Sequence, residues 1–259
     1  MANCRVRSSA SALKLGTASW GGFRKITIRD IYVYDTYRSA IAIETVDGGI
    51  LEDVNVQNIR ATNTGNAIFI RLGHRNKDEV NSQLRRVHIA NVEVEIPLGK
   101  PDKGYEEESP IVRYPHNVFP SSISGFAGHP VEDVTLENIE VIYEGGGNAQ
   151  VASLPIDSLS KIPEQIAEYP EFSMFGELPA WAFYARHVVG LKMKNVSVKA
   201  KNKDYRPSTV LDDVTNLKID GMKVEEESEQ QVFLNNCSRA ELKMDKKLVH
   251  VFENCKDIK

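Results

Sequence analysis

Cysteine and long apolar runs are both scarce in this chain. Its 259 residues include three cysteines, which lie far apart at Cys4, Cys237 and Cys255. This spacing indicates neither a disulfide framework nor a metal-binding motif. No run of about 18 apolar residues occurs, so no membrane-spanning helix is expected. The first residues also lack the basic flank and apolar stretch of a signal peptide.

A strong excess of charge of one sign is missing as well. The chain has 32 lysines and arginines against 36 aspartates and glutamates, which gives a net charge of −4. No stripe combines basic and aromatic residues, so the sequence argues against a nucleic-acid partner. It contains no phosphate-binding loop, no Ser-His-Asp grouping and no His/Cys metal spacing. Neither a metal nor a cofactor is therefore predicted.

What the sequence does have is a motif that recurs at irregular intervals. Its first complete copy is Ile26-Thr-Ile-Arg-Asp-Ile-Tyr-Val33, and a central Asn, Asp or Gly marks each copy. The gaps between successive central residues are 27, 28, 33, 47, 57 and 26. Repeats at such periods indicate a solenoid. The central residues are Asn3, Asp30, Asn58, Asn91, Asn138, Asn195 and Gly221.

Apolar and other residues alternate within each copy, as in a strand with one buried face. The central Asn or Asp tolerates a left-handed backbone, which suits a bend between two short strands. We expect these side chains to form a ladder from repeat to repeat. A leucine-rich repeat is the competing solenoid, but its Leu-x-x-Leu-x-Leu spacing is absent. The sequence predicts an all-β, right-handed parallel β-helix that forms one domain over residues 1–259.

Each repeat has a second strand after a short turn. Alternation predicts that the outward residues of these strands include Lys14, Glu44 and Arg71, and we expect this outer sheet face to be open to ligand. The apolar residues of the same strands should face the core. They are Leu13, Leu15, Ile41, Ile43, Ile68, Ile70 and Leu72.

Two segments, at about 96–130 and 145–179, interrupt the repeats and are predicted to be long loop insertions. Within the second, Ile162–Glu168 is predicted to be a short helix with Pro163 in its first turn. Long loops with aromatic residues on a rigid scaffold are often functional. The alternative is that they only cover a sheet edge.

The outward charged residues could form a binding cleft. In a stacked sheet, Lys14, Glu44, Arg71 and Arg186 would lie roughly 5 Å apart on adjacent strands. Two arginines and a lysine around one glutamate suit an anionic sugar such as a uronic acid, because guanidinium groups pair with carboxylates. The alternative is a solvated row of surface ion pairs.

Three further polar residues follow directly after second strands, so we place them at the edge of the cleft. His74 and Arg75 follow one strand, and His187 follows Arg186 on a later one. A structural role is the alternative for the histidines. Glycoside hydrolysis usually needs two flanking carboxylates, but no pair of acidic residues stands out by spacing. The catalytic residues are therefore not identified.

A resemblance to a known family is carried by the segments 3–6, 11–26, 37–49, 67–75, 124–130 and 175–181. Together they resemble polygalacturonase-like glycoside hydrolases of family 28, above all the bacterial, pectin-degrading branch. The resemblance covers nearly the whole chain. It implies a pectate-lyase-like right-handed parallel β-helix, hydrolysis of α-linked galacturonic acid or related pectic bonds, and no cofactor. It also implies a pectic poly- or oligosaccharide as partner, a secreted or periplasmic location and a monomer in the full-length form.

The chain departs from that family at its catalytic motifs. The family's Asn-Thr-Asp and Asp-Asp motifs lie upstream of the matched region. Its Gly-His-Gly strand would fall on Ala10–Gly16, which has no histidine, and its Arg-Ile-Lys strand on Ala42-Ile-Glu44. Because the chain also begins inside a repeat, we expect it to be the C-terminal part of a hydrolase. It would carry sugar-binding subsites without the catalytic aspartates.

Two other functions stay open at this point. The chain could be a non-catalytic carbohydrate-binding or structural β-helix. It could also be a polysaccharide lyase on the same scaffold. Such lyases commonly use calcium held by clustered aspartates, and the outward strand positions here show no such cluster.

Overall fold

Strands make up nearly all the regular structure of this chain. The computed structural model describes residues 1–77, 80–99, 101, 119–147, 156–225 and 230–259. Within them the fold is all-β, as predicted. Short 3-10 helices occur at Ile156–Lys161 and Lys246–Leu248.

In the described part of the chain, fourteen strands form one connected sheet system, and each strand pairs with its neighbours in parallel. In chain order they are β1 (Ala2–Ser8), β2 (Leu13–Leu15), β3 (Phe23–Thr45), β4 (Ile50–Leu72), β5 (Gln83–Ile96), β6 (Ser121–Ser124), β7 (Val131–Gly145), β8 (Phe183–Asn202), β9 (Thr209–Asp220), β10 (Lys223–Glu225), β11 (Val232–Asn235), β12 (Ser238–Lys243), β13 (Val249–Val251) and β14 (Lys256–Ile258).

The copies of the repeat motif pair with one another in register. Ile26 lies opposite Val54, and Val54 lies opposite Val87. Val134 follows beside Val87, and Leu191 beside Val134. The same motif position therefore recurs at one level of the sheet, although the loops between copies differ in length. This register stacks apolar residue on apolar residue across the whole sheet.

The long strands bend at the central residue of the motif, where the backbone is left-handed. The φ angle is 58° at Asp30 and 56° at Asn58. The amide of Asn58 donates to Asp30 at 2.8 Å, and that of Asn91 donates to Asn58 at 3.1 Å. Asn138 donates to Asn91 at 2.9 Å, and Asn195 to Asn138 at 3.0 Å. The predicted ladder is confirmed.

Two shorter rows of side chains are also linked by hydrogen bonds, and the bonds run in the same direction from donor to acceptor. The Asn63 amide donates to Asp35 at 2.7 Å. Asn235 donates to Asp212 at 2.6 Å, and Asn254 donates to Asn235 at 3.0 Å. In each row, the residue on the later repeat is the donor and the residue on the earlier repeat is the acceptor.

The core consists of the inward residues of every strand. Of the seven residues predicted to face it from the second strands, six are at most 3 % exposed and Leu15 is half-buried against them. Full burial of each such side chain stabilises the fold by about 1.5–3 kcal/mol. The six buried residues are Leu13, Ile41, Ile43, Ile68, Ile70 and Leu72.

The first predicted insertion is partly sheet. β6 lies inside the segment 96–130 and pairs with β4 on one side and with β8 on the other. A loop prediction for Ser121–Ser124 is therefore wrong, because this serine-rich segment fills the gap that would otherwise separate β4 from β8. Residue 100 and residues 102–118 lie outside the described residues.

Residues 156–180, which include the described end of the second insertion, lie against the outer face of the second-strand sheet, and we call them the strap. Residues 148–155 of that insertion lie outside the described residues. The predicted helix at Ile162–Glu168 is wrong. The carbonyls of Glu164 and Gln165 accept hydrogen bonds from Arg71, and the carbonyl of Ile166 accepts one from the His74 backbone. These carbonyls bond to the sheet rather than within a helix.

The prediction of an open outer face is also wrong. Apolar strap residues such as Phe172 and Phe175 pack on Phe69, Tyr184 and Val210, which point outward from the sheet. Phe69, Tyr184 and Val210 are at most 1 % exposed. The face is therefore closed by a second, smaller apolar cluster.

The ladder generates a stability prediction. We expect Asn91→Ala to lower the free energy of unfolding by about 1–2 kcal/mol, because alanine is strained at a φ of 54° and cannot join the ladder. Asn91→Gly removes only the side-chain bonds, so it should cost less. Denaturant unfolding of both variants measures the difference. Equal stability of the alanine variant and the parent chain would contradict the role of the ladder.

Candidate functional site

The outward charged residues lie in rows that run across the strands. Glu44 lies opposite Arg71, and Arg71 opposite Ser124. Arg186 follows beside Ser124, and Asp212 beside Arg186. Glu44 and Arg71 are neighbours on adjacent strands, as predicted. Arg186 lies in the same row, but the prediction that it is adjacent to Arg71 is wrong, because Ser124 of β6 separates the two arginines.

Lys14 belongs to the neighbouring row. It lies opposite Ala42, two residues before Glu44. Its ammonium reaches Glu44 diagonally, with Nζ 2.9 Å from Oε2. The prediction that Lys14 lies in the row of Arg71 and Arg186 is therefore wrong, although Lys14 and Glu44 meet through an ion pair between two rows.

Arg71 is buried, and its guanidinium holds the strap in place. One terminal nitrogen donates to the Gly125 carbonyl at 2.8 Å and to Ser124 Oγ at 3.3 Å. The other donates to the carbonyls of Glu164 at 2.7 Å and Gln165 at 3.2 Å. Burial lowers the pKa of Arg71 to about 10, so the group stays charged at neutral pH.

Arg186 and His187 hold the same part of the strap. Arg186 lies 3.1 Å from the Glu164 carboxylate and 3.3 Å from that of Asp212. His187 bridges two carboxylates, with Nε2 3.0 Å from Glu164 and Nδ1 2.6 Å from Asp213. Burial raises the pKa of Asp212. These charges are arranged to pair with one another.

Little free space remains between the strap and this part of the sheet. The cavity there has a volume of about 10 Å³ and is lined by residues that include Arg71, Glu164, Tyr184 and Arg186. Such a volume holds about one water molecule. The prediction of an open basic cleft at Arg71 and Arg186 is therefore wrong, because the strap occupies the position of the ligand.

His74 was predicted at the edge of the cleft and lies beneath the strap instead. Its backbone N–H donates to the Ile166 carbonyl at 2.8 Å. Its Nδ1 atom is buried and has no hydrogen-bond partner among the described residues. The Nδ1 side of the imidazole therefore faces protein rather than solvent, while the residue as a whole is half-buried.

Two of the predicted cations, Lys14 and Arg75, are partly exposed next to Tyr169. We call these three residues, together with the buried carboxylates of Glu44 and Asp47, the edge cluster. Tyr169 is 48 % exposed. Lys14 Nζ lies 5.0 Å and Arg75 Cζ 5.7 Å from the centroid of its ring. Lys14 also donates to the Tyr169 hydroxyl at 3.2 Å. An exposed aromatic ring is thus flanked by two cations.

Carboxylates lie beneath both cations. Arg75 makes two bonds of 2.9 Å to Asp47. Beside the cluster, Arg38 pairs with Glu171 at 2.6 Å. Burial raises the pKa of Glu44 to about 7 against the opposing charge of Lys14, and burial also raises the pKa of Glu171. The local charge therefore becomes more positive as the pH falls toward neutrality and below.

Sequence reasoning missed two parts of this arrangement. Tyr169 lies within the second insertion, and no local pattern relates it to Lys14, which is 155 residues away. Asp212 continues the row that contains Arg186, and no local pattern relates these two residues either. In both cases the signal is tertiary.

A hollow with a volume of about 660 Å³ lies elsewhere on the described surface. It follows the ladder past Asn58, Asn91 and Asn138. The amides there already bond to one another. Among the described residues, no group of three His, Cys, Asp or Glu side chains could hold a metal ion.

No helix in the described ranges is long and apolar enough to cross a membrane. Comparison of the chain with protein-family models, with curated proteins and with solved structures gave no match.

The role of Arg71 can be tested by a conservative change. Arg71→Lys should lower the free energy of unfolding by about 2–4 kcal/mol. The two terminal nitrogens of arginine donate to carbonyls in different directions, and a single ammonium group cannot replace both, so some carbonyls are left unpaired. Arg24→Lys is the matched control, since Arg24 is 58 % exposed beside Glu52. It should change stability by less than about 0.5 kcal/mol. Comparable losses in the two variants would contradict the anchoring role.

The buried carboxyl of Glu44 generates a pH prediction. Its folded-state pKa of about 7 lies above the ordinary value of 4.5, so the folded chain binds the proton more tightly than the unfolded chain. The resulting stability is fully present below about pH 4.5 and is lost as the pH rises through about 7. Glu44→Gln should flatten this part of the curve of melting temperature against pH. A curve of unchanged shape would contradict the assignment.

Proposed function

We propose that the sheet system winds as a right-handed parallel β-helix. Two observations support this arrangement: the parallel pairing of repeats in chain order, and the bends at Asp30, Asn58 and their counterparts. Strands that pair in this way with their predecessors, repeat after repeat, are typical of a solenoid.

We propose further that the chain is the C-terminal part of a polygalacturonase-like glycoside hydrolase acting on pectic polysaccharide. In this proposal the edge cluster is a subsite for galacturonic acid. The observation that carries it is the exposed ring of Tyr169 between Lys14 and Arg75. An aromatic face packs against the C–H groups of a pyranose ring, and flanking cations pair with its carboxylate.

The carboxylates beneath the cations tune this subsite. Asp47 holds the guanidinium of Arg75 in a fixed orientation through two bonds of 2.9 Å. Glu44 gains a proton near pH 7. Its carboxyl then no longer carries the negative charge that competes with a sugar carboxylate for Lys14. The subsite therefore binds a uronate more tightly in mildly acidic solution than in alkaline solution.

No catalytic residue is assigned. The carboxyls at or beside the proposed subsite are Glu44, Asp47 and Glu171, and each is paired with a cation, at 2.9, 2.9 and 2.6 Å respectively. Their side chains are only 2 %, 4 % and 16 % exposed. A hydrolase needs two carboxyl groups that reach the glycosidic bond, so the proposal places them outside this chain, which alone would be inactive. A secreted or periplasmic location and a monomeric full-length form belong to the same proposal.

A second candidate function is a non-catalytic carbohydrate-binding or structural β-helix. The strap favours it, because Arg71 and Arg186 bind strap carbonyls and carboxylates where a cleft was expected. Both candidates predict sugar binding at the edge cluster. They differ in turnover, which is measured by the release of reducing ends once an upstream region is supplied.

Calorimetric titration with oligogalacturonate tests the subsite. Arg75→Gln should weaken binding by roughly tenfold or more, because it removes a charged hydrogen-bond donor. Tyr169→Ala should weaken it by roughly fivefold. Affinity should rise between about pH 8 and about pH 6, on either side of the Glu44 pKa of about 7, as the carboxyl gains its proton.

The controls separate the subsite from general charge attraction. Arg60→Gln removes a cation that is 67 % exposed and is not part of the edge cluster. This change should leave affinity unchanged. A neutral galactose oligomer of equal length should bind far more weakly. Equal losses for Arg75→Gln and Arg60→Gln, or equal affinity for both oligomers, would refute the galacturonate subsite.

A further inference from the structure

Trp20 is held at the surface with most of its side chain in solvent. It is 68 % exposed, whereas Trp181, the second of the two tryptophans in the chain, is fully buried. Scattered exposed apolar residues are common on protein surfaces. Exposure alone therefore does not mark Trp20 as a binding residue, and the backbone that carries it matters as well.

The turn that carries Trp20 is tightly fixed. Ser19 is 1 % exposed, and its hydroxyl lies 3.0 Å from that of Thr45. The Gly22 N–H donates to the Ser19 carbonyl at 2.8 Å and closes the turn. Gly49 approaches so closely that an added Cβ would lie 1.6 Å from the Ser19 carbonyl oxygen. The indole is exposed on a rigid support, not on a loose loop.

The turn adjoins the edge cluster. Thr45, which contacts Ser19, directly follows Glu44. Gly16, two residues after Lys14, packs against the Glu44 carbonyl, where an added Cβ would lie 2.5 Å from the oxygen. Given these links and the spacing of consecutive Cα atoms, the Cα atoms of Trp20 and Glu44 are at most about 15 Å apart. An oligosaccharide bound at the edge cluster can extend over this distance.

We propose that Trp20 is a second stacking platform, which packs against another sugar ring of the pectic oligosaccharide held by Tyr169. The inference rests on the proposed function and names a further subsite for it. A rigid exposed indole offers a large apolar face at low entropic cost. In this proposal Trp20 forms a separate subsite, so it contacts only oligomers long enough to reach past the first subsite.

The burial of Trp181 makes tryptophan fluorescence a direct probe of Trp20. Titration with long oligogalacturonates should change the emission and protect it from quenching by acrylamide. Short oligomers that fill only the edge cluster should leave both unchanged. Trp20→Ala should weaken binding of long oligomers by roughly fivefold to tenfold and leave that of short ones unchanged. Trp20→Phe should retain most of the affinity.

The matched control is Tyr205→Ala. Tyr205 is also aromatic and 50 % exposed, but its backbone is held beside Gly147 rather than next to Thr45. This variant should bind all oligomers like the parent chain. Melting curves should show that Trp20→Ala and Tyr205→Ala both fold.

The outcomes separate this inference from the proposed function. Calorimetric binding that depends on Arg75 and Tyr169, with unchanged fluorescence and unaltered affinity in Trp20→Ala, would overturn the stacking platform and leave the first subsite standing. Equal effects of Trp20→Ala on short and long oligomers would also overturn it. Failure of any oligogalacturonate to bind would overturn the proposed function, and the platform with it.

Discussion

In-register parallel pairing of successive repeats is the constraint on which the rest of this structure depends. Once Val54 lies opposite Val87, every other motif position is aligned as well, and each type of residue forms a row. Inward rows of valine and isoleucine make the core. Rows at the bends carry asparagine, and outer rows carry charges. Residues such as Arg71 and Arg186, which are far apart in sequence, belong to one row for this reason.

The strap competes with any ligand for the outer row. A guanidinium fork that could bind a sugar carboxylate instead binds the carbonyls of Gly125, Glu164 and Gln165. The apolar strap residues add burial against Phe69 and Tyr184 that a polar ligand could not supply. The exposed polar chemistry is therefore found at the edge of the sheet, where Tyr169 meets Lys14 and Arg75.

Much of the fold could be predicted from the sequence, because its signals are local and repeated. Alternation identified the inward residues, and the central Asn or Asp identified the bends and the ladder. β6 was missed because Ser121-Ser-Ile-Ser has a single apolar residue and lies within a loop-like segment. The path of the strap was missed for another reason. Nothing in the residues around Pro163 shows that their carbonyls bond to arginines on distant strands.

The ladder has a polarity that limits which residue can occupy each level. Within the row from Asn195 back to Asp30, Asn58, Asn91 and Asn138 each accept from the later repeat and donate to the earlier one, whereas Asn195 donates and Asp30 accepts. An amide can do both, but a carboxylate can only accept. Aspartate is therefore compatible with the acceptor end, as at Asp30, Asp35 and Asp212, and would interrupt the chain of bonds anywhere further along. The choice between two nearly isosteric side chains thus records the direction in which the repeats are stacked.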